Sequence, residues 1–304
     1  QSGTAEHPIV FQAENRHGAV LTGESNHFRP FSPGYGKHIV LRGFWFRNCP
    51  LHPSGMYGAQ VVMPNTGWRV EDCRFTRCGV GIGYSTGSID TSNITVLRCV
   101  FEDMAVTASW AWAGPGQRME GHRIQDTILR RCNTLNLDPG FGAMGMKYGY
   151  TRNLVADGVI SYDNNGIGFW LDWNNENFLV QNCTFFGNHA GMAYANFTDN
   201  QLRNQKWAGV GFASEGNPSG RFLGNTCYSN LWSGVSLWES GYDGGILVEG
   251  NLFVDNSIHV EFRAMDRRSD EDPMVGLSDV TLRDNRFLDW RDVCWYTGGL
   301  VDTI

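Results

Sequence analysis

Residues 144–197, MGMKYGYTRN LVADGVISYD NNGIGFWLDW NNENFLVQNC TFFGNHAGMA YANF, contain both the repeat that decides the fold and the residues that suggest a chemistry. Short apolar and polar positions alternate with period two, and Asn, Asp and Gly close each run. That pattern reads as strand and turn, not helix. Lys147, Trp170 and Asp172 stand at positions that alternation turns outward.

The same unit recurs along the chain. Leu41-Arg42-Gly43-Phe44-Trp45-Phe46 aligns with Val70 to Phe75, Val96 to Phe101, Ile124 to Leu129, Val155 to Ile160, Val180 to Phe185, Phe222 to Cys227, Val248 to Phe253 and Leu282 to Phe287. The steps run from 25 to 42 residues. Short strands and polar turns at this period predict a solenoid of parallel coils. The fold expected is all-β, a single-stranded right-handed parallel β-helix of about ten coils, forming one domain over 1–304.

Two columns should line its interior. One is Phe46, Phe75, Phe101, Leu129, Ile160, Phe185, Cys227, Phe253 and Phe287, stacked at ~4.8 Å per coil. The other, at the following turn, is Cys49, Cys78, Cys132, Asn188, Asn230 and Asn256, in which Asn bonds along the stack and Cys replaces it as a small apolar group. The cysteines therefore read as stacked free thiols, with a Cys49–Cys78 bridge as the alternative in an oxidising compartment.

A third strand follows each turn: Val80 to Tyr84, Val106 to Trp110, Met144 to Tyr148, Ile167 to Leu171, Met192 to Asn196, Val235 to Glu239 and Ile258 to Phe262. Insertions at 133–142, 198–220 and 264–277 interrupt the spacing, and the last two are expected to wall the outer face into a groove. Ile9 to Gln12 and Ala19 to Thr22 read as earlier, less regular coils, with no cap helix before them.

Composition narrows the partners. The chain has 304 residues, 41% of them hydrophobic, and a net charge of −7 with 24 basic residues scattered along its length. No basic stripe for nucleic acid and no apolar run long enough to span a membrane is present. No CxxC pair or His/Cys cluster suggests a metal, and no cofactor motif appears. Of eleven tryptophans core packing accounts for most, but several fall at outward positions that suit stacking on sugar rings. The chain begins at Gln1 without a charged or apolar leader, which predicts a secretion signal already removed or not included. Asn93-Ile-Thr95, Asn182-Cys-Thr184 and Asn196-Phe-Thr198 are formal glycosylation sequons of the kind Asn-rich turns generate by chance.

Alternation puts Gly83, Ser109, Lys147, Trp170, Ala195, Trp238 and Glu261 on one outward row of the third sheet. Ser85, Gly149, Asp172, Phe197, Ser240 and Arg263 form the next. Single exposed charges are ordinary, but two tryptophans among them point to a ligand.

The segment Gly145-Met146-Lys147 and, one strand on, Gly168-Phe169-Trp170-Leu171-Asp172-Trp173 resembles the β-helix β-xylosidases and their pectin-lyase-like relatives. The resemblance implies a retaining glycosidase acting on a plant or microbial glycan, secreted, periplasmic or at the cell surface, with Asp172 as nucleophile and Trp173 at the substrate. It also implies an acid/base glutamate where this chain has Ala195, so that position reads as vacant. Glu239 is the nearest replacement on a strand, and Glu215 is a second, reaching over from the wall. Lys147 is positioned to pair with Asp172, while Trp170, Trp238, Glu261 and Arg263 would contact an oligo- or polysaccharide. Two other readings stay open: a polysaccharide lyase or epimerase using Lys147 as base, and a non-catalytic carbohydrate-binding or structural β-helix.

Overall fold

Each repeat consists of two short strands joined through a residue in the left-handed region. These corner residues are Gly43, Asp72, Arg98, Asp126, Gly158, Asn182, Gly224, Gly250 and Asp284, all with φ between 48° and 78°. Gly, Asn and Asp tolerate that conformation best, so the corner chemistry is written into the repeat. The computed structural model describes residues 1–23, 36–51, 60–85, 91–114, 116–190, 209–263 and 279–289, with backbone alone for 292–297.

Successive coils pair in parallel into two ten-stranded sheets and one nine-stranded sheet, and strand order in each follows the chain. This is a right-handed parallel β-helix. Among the described residues the helical segment is a single 3₁₀ turn, Pro139–Phe141, and no helix is long and apolar enough to cross a membrane.

The interior column of the second sheet runs Phe46, Phe75, Phe101, Leu129, Ser161, Phe185, Cys227, Phe253 and Phe287 by strand register. Phe46 and Phe75 stack with centroids 4.8 Å apart, and Phe75 and Phe101 at 4.5 Å. Each fully buried ring removes enough apolar surface to contribute about 2–3 kcal/mol. Ser161, not Ile160, fills the fifth place. Left-handed Gly158 is the corner of that coil, which shifts its register by one residue and turns Ile160 out to solvent. Ser161 Oγ donates to the Gly168 carbonyl instead.

Three buried amide ladders close the turns. Asn164, Asn188, Asn230 and Asn256 form the first, each Nδ2 donating to the next Oδ1 at 2.9 Å. Asn225, Asn251 and Asn285 form the second. Asn175 and Asn217 form the third, which Thr151 and Ser240 extend on either side. Each amide also donates to a strand carbonyl, so polar groups that the coil buries are satisfied. The seven described cysteines are buried and free. Burial pushes the Cys183 thiol up to about 12, which leaves it an inert packing group.

The third sheet differs from the sequence expectation at one decisive place. The strand beside Phe169–Asp172 is Phe212–Glu215, inside the stretch expected to be an insertion at 198–220. Met192 to Asn196, with Ala195, lies outside the described residues, as do Phe197 and all of 264–277.

Candidate active site

The outer face of the third sheet carries two adjacent rows. Register gives the first as Gly83, Trp110, Lys147, Trp170, Ala213, Ser236 and Glu261. The second holds Trp112 opposite Gly149 and, on later rungs, Asp172, Glu215, Trp238 and Arg263. Four members differ from the expected rows. Ser109 points inward and bonds the Tyr148 hydroxyl at 2.9 Å, because the strand's outward residues are Trp110 and Trp112. Ser240 lies past the strand end in the third turn ladder. Trp238 belongs with Asp172's row. The place next to Asp172's strand, expected for Ala195, is held by Phe212–Glu215.

Strict alternation also fails at Gly168. Ile167 lies on the outer side with Met144, Trp170 and Val210, whereas Phe169 and Leu171 enter the main core. The outer face therefore has its own small apolar cluster beneath the charged groups.

Lys147 is the hub. Its Nζ lies 2.7 Å from Asp172 Oδ2 and 3.7 Å from the centroid of the Trp170 ring. Lysine and aspartate side chains are only 13% and 12% exposed. The ammonium thus fixes Asp172 by a charge-assisted bond and rests on an aromatic face by cation–π attraction. Removed from water, such a pair is held more firmly than a surface bridge.

This arrangement corrects the role expected for the two tryptophans. Trp170 is 2% exposed, its face occupied by Lys147, and Trp238 packs against it edge-on at 6.1 Å and 82°. Neither presents a free face for a sugar. Trp238 is itself tied down, since its Nε1 donates to Glu261 Oε2 at 3.2 Å. Ser236 donates to the same oxygen at 2.6 Å, and Arg263 donates to Oε1 at 2.6 Å. With both carboxylate oxygens engaged by Trp238, Ser236 and Arg263, Glu261 organises this wall.

Glu239 follows Trp238 at φ 48°, and its amide donates to the Arg263 carbonyl at 3.0 Å. It is a corner residue, off the face that carries Asp172, which argues against the catalytic place expected for it. Trp173 holds the equivalent corner two strands earlier, directly after Asp172, at φ 53° and half-buried. Its ring lies over Gly216, where an added Cβ would meet it at 2.4 Å. Tyr242 bonds Asn174 Oδ1 at 2.9 Å beside it.

Glu215 is the residue that outward-row reading missed. It sits directly opposite Asp172 on the next rung, in a strand whose sequence Gly211-Phe212-Ala213-Ser214-Glu215 repeats the pattern of Gly168-Phe169-Trp170-Leu171-Asp172. The turn amides agree, since Asn217 accepts from Asn175 and donates to the Leu171 carbonyl at 2.8 Å. That repeated Gly-Phe-x-x-acid element was the available signal. In-register α-carbons on neighbouring strands are about 4.8 Å apart. The two carboxylates therefore share one face on adjacent rungs.

Fold and site together define a right-handed parallel β-helix with an acidic cluster on its third sheet. Residues 46–207 and, in an overlapping match, 108–264 fit the family described as "Right handed beta helix region", and the chain belongs to that family. Among solved structures it is similar to the periplasmic alginate epimerase AlgG, with 13% identity over 89% of this chain and 67% of that one, and a TM-score of 0.60. A double mutant of the same epimerase matches at 12% identity, 93% and 64% coverage and a TM-score of 0.55. Pectate lyase Pel9A matches at 15% identity, 92% and 68% coverage and a TM-score of 0.49. No curated protein matches the chain in sequence. What these likenesses support is the β-helix, not the β-xylosidase resemblance within it.

Proposed function

We propose that the protein is a carbohydrate-active enzyme, a retaining glycoside hydrolase in which Asp172 is the nucleophile and Glu215 the acid/base. The observation that carries this reading is the in-register pairing of Asp172 with Glu215 on one sheet face. Carboxyl groups on adjacent rungs fall near the ~5–5.5 Å separation of a retaining pair and short of the ~6.5–9.5 Å that leaves room for an inverting water. Lys147, bonded to Asp172 and on the rung before it, supplies the asymmetry. The charge-assisted bond from Lys147 holds the Asp172 carboxylate in place for attack, which gives it the nucleophile's part and leaves the acid/base part to its neighbour.

In the first step Glu215 would give its proton to the departing glycosidic oxygen while Asp172 attacks the anomeric carbon. Glu215 would then take a proton from water as that water releases the sugar from Asp172. The mechanism needs nothing from position 195, and the vacancy inferred there is replaced by a carboxylate on the neighbouring strand.

A lyase or epimerase reading draws on the likeness to an alginate epimerase, with Lys147 as base. Charge weighs against it. The described outer face of this region holds Asp172, Glu215 and Glu261 against Lys147 and Arg263, and both cations are already in ion pairs. A uronate chain would meet net negative charge. We accordingly read the substrate as a neutral glycan, and the protein, like that periplasmic relative in fold, as secreted, periplasmic or at the cell surface.

The test is product analysis on neutral and uronate oligosaccharides. Proton NMR should show hydrolysis of a neutral glycoside with the anomeric configuration retained. Inversion, or ultraviolet-absorbing unsaturated ends from a uronate chain, would overturn the assignment.

A further inference from the structure

Trp110 and Trp112 stand on one strand and lean opposite ways. The Trp110 indole nitrogen lies over Gly83 on the preceding coil, where an added Cβ would meet it at 2.7 Å. Trp112 lies over Gly149 on the following coil, its six-membered ring 2.5 Å from where a Cβ would stand. Only a glycine at 149 leaves room for that ring against the sheet. The same hypothetical Cβ would come within 2.6 Å of the Asp172 carbonyl, so the ring reaches the rung immediately before the nucleophile.

Among the described residues, three contacts fix the ring. Tyr150 meets it edge-on at 5.1 Å and 81°, Lys147 Nζ approaches to 5.7 Å from its centroid, and Gly149 lies beneath it. Trp112 nevertheless remains half-buried, unlike Trp170 and Trp238. Trp112 and Asp172 are two rungs apart in one row, ~9.6 Å along the axis, and the ring spans the first of those rungs. What remains is close to the width of one pyranose.

We propose that Trp112 is the platform of a second sugar subsite, one ring away from Asp172 toward the start of the chain, and that it binds a neutral pyranose by stacking. This rests on the carbohydrate reading of the Lys147–Asp172 site and adds to it a direction: the glycan lies along the helix axis, over Gly149. The indole offers a flat, partly dehydrated surface whose cost in ordering is small, because Tyr150 and the sheet already hold it. Trp173, over Gly216, is the counterpart on the other side of the Asp172 rung.

Binding separates the two claims. Xylotetraose, cellotetraose and tetramannuronate would each be titrated calorimetrically into the Asp172→Asn protein, then into the same protein carrying Trp112→Ala or Trp112→Phe. The proposal expects a neutral tetrasaccharide to bind, Trp112→Ala to weaken it roughly tenfold, the loss of one stacked ring, and Trp112→Phe to recover most of that. A purely structural Trp112 would lower the melting temperature of the alanine variant and leave the dissociation constant alone. Unchanged affinity overturns the platform and spares the hydrolase reading. Binding of tetramannuronate alone, or of none of the three, overturns both.

Discussion

Asp172 and Glu215 are direct partners across the third sheet, with Lys147 bonded to Asp172 from the rung before. The pair arises because two strands far apart in sequence end in the same way, with a carboxylate at the last outward position and an asparagine two or three residues later. Asn175 and Asn217 then stack beneath the turn and hold the strand ends level. Asp172 is thus fixed from both sides, its backbone carbonyl accepting from Asn175 at 3.1 Å and its carboxylate from Lys147.

Replacing Glu215 by Gln removes the proton donor and leaves the nucleophile. Hydrolysis of glycosides with poor leaving groups should fall by ~10²–10⁴-fold, the usual contribution of a positioned acid/base. A 2,4-dinitrophenyl glycoside needs no protonation and should still glycosylate Asp172, with added azide restoring turnover and yielding a glycosyl azide of retained configuration. Equal losses on both substrates, without azide rescue, would assign Glu215 another role.

Lys147→Met keeps most of the side-chain volume against Trp170 and deletes the charge. Asp172 would then be a mostly buried carboxylate without its cation, a loss of about 3 kcal/mol in stability. Denaturant unfolding should show that decrease, and turnover should fall with it. Adding Asp172→Asn to this variant should recover part of the stability, since it removes the stranded charge.

The coil architecture was legible because its signals are local. Left-handed corners at Asp72, Asp126 and Asn182, apolar alternation, and stacked phenylalanines all appear within six residues of one another. The register slip in one coil had a local cause too, since Val155 and Ile160 look like core residues while the corner glycine, Gly158, assigns that place to Ala156 and Ser161. Lys147 and Asp172 were legible for the same reason, lying on consecutive repeats. Glu215 was legible as a candidate carboxylate but not as Asp172's strand partner, because which strand lies beside Phe169–Asp172 depends on how much chain is passed over before the next coil, and Met192 to Asn196 alternates as well as Phe212–Glu215 does. Burial of Trp170 and Trp238 was equally hidden, since it comes from Lys147 and from one ring on the other, not from either strand's own pattern.

Acid should weaken the fold in two stages. Burial pushes His122 down to about 3, with Nδ1 accepting from the Ile94 amide. The unfolded chain takes up this proton below about 6.5 while the folded chain does not, so the contribution is intact above that pH and declines as pH falls toward 3. The bidentate bond from Arg98 holds Asp72 below its ordinary value, so its contribution persists above about 3.9 and is lost only at lower pH. Melting temperature should therefore fall between about pH 6.5 and 5, before the carboxylates titrate. His122→Gln should flatten that first stage. An unchanged slope in the variant would mean that other histidines carry it.

Asn217→Ala should destabilise the protein by about 3 kcal/mol. It strands the Leu171 carbonyl and the Asn175 amide, which Asn217 now satisfies at 2.8 and 2.7 Å in a fully buried turn. Because this turn levels Asp172 with Glu215, activity at a temperature where the variant is still folded should drop as well. A comparable alanine at Asn251, in a ladder on another corner, should cost stability and spare activity.

The most direct measurement is the site of covalent labelling by 2,4-dinitrophenyl 2-deoxy-2-fluoro-β-D-xyloside and the corresponding glucoside. The fluorine slows release of the sugar from the nucleophile, so a retaining enzyme accumulates its glycosylated form. A mass increase of one fluorosugar is expected, carried by the peptide containing Asp172, with no label in Asp172→Asn. A label on Glu215 or Glu239, or hydrolysis of the parent glycosides with inversion and no label, would contradict the nucleophile's assignment to Asp172.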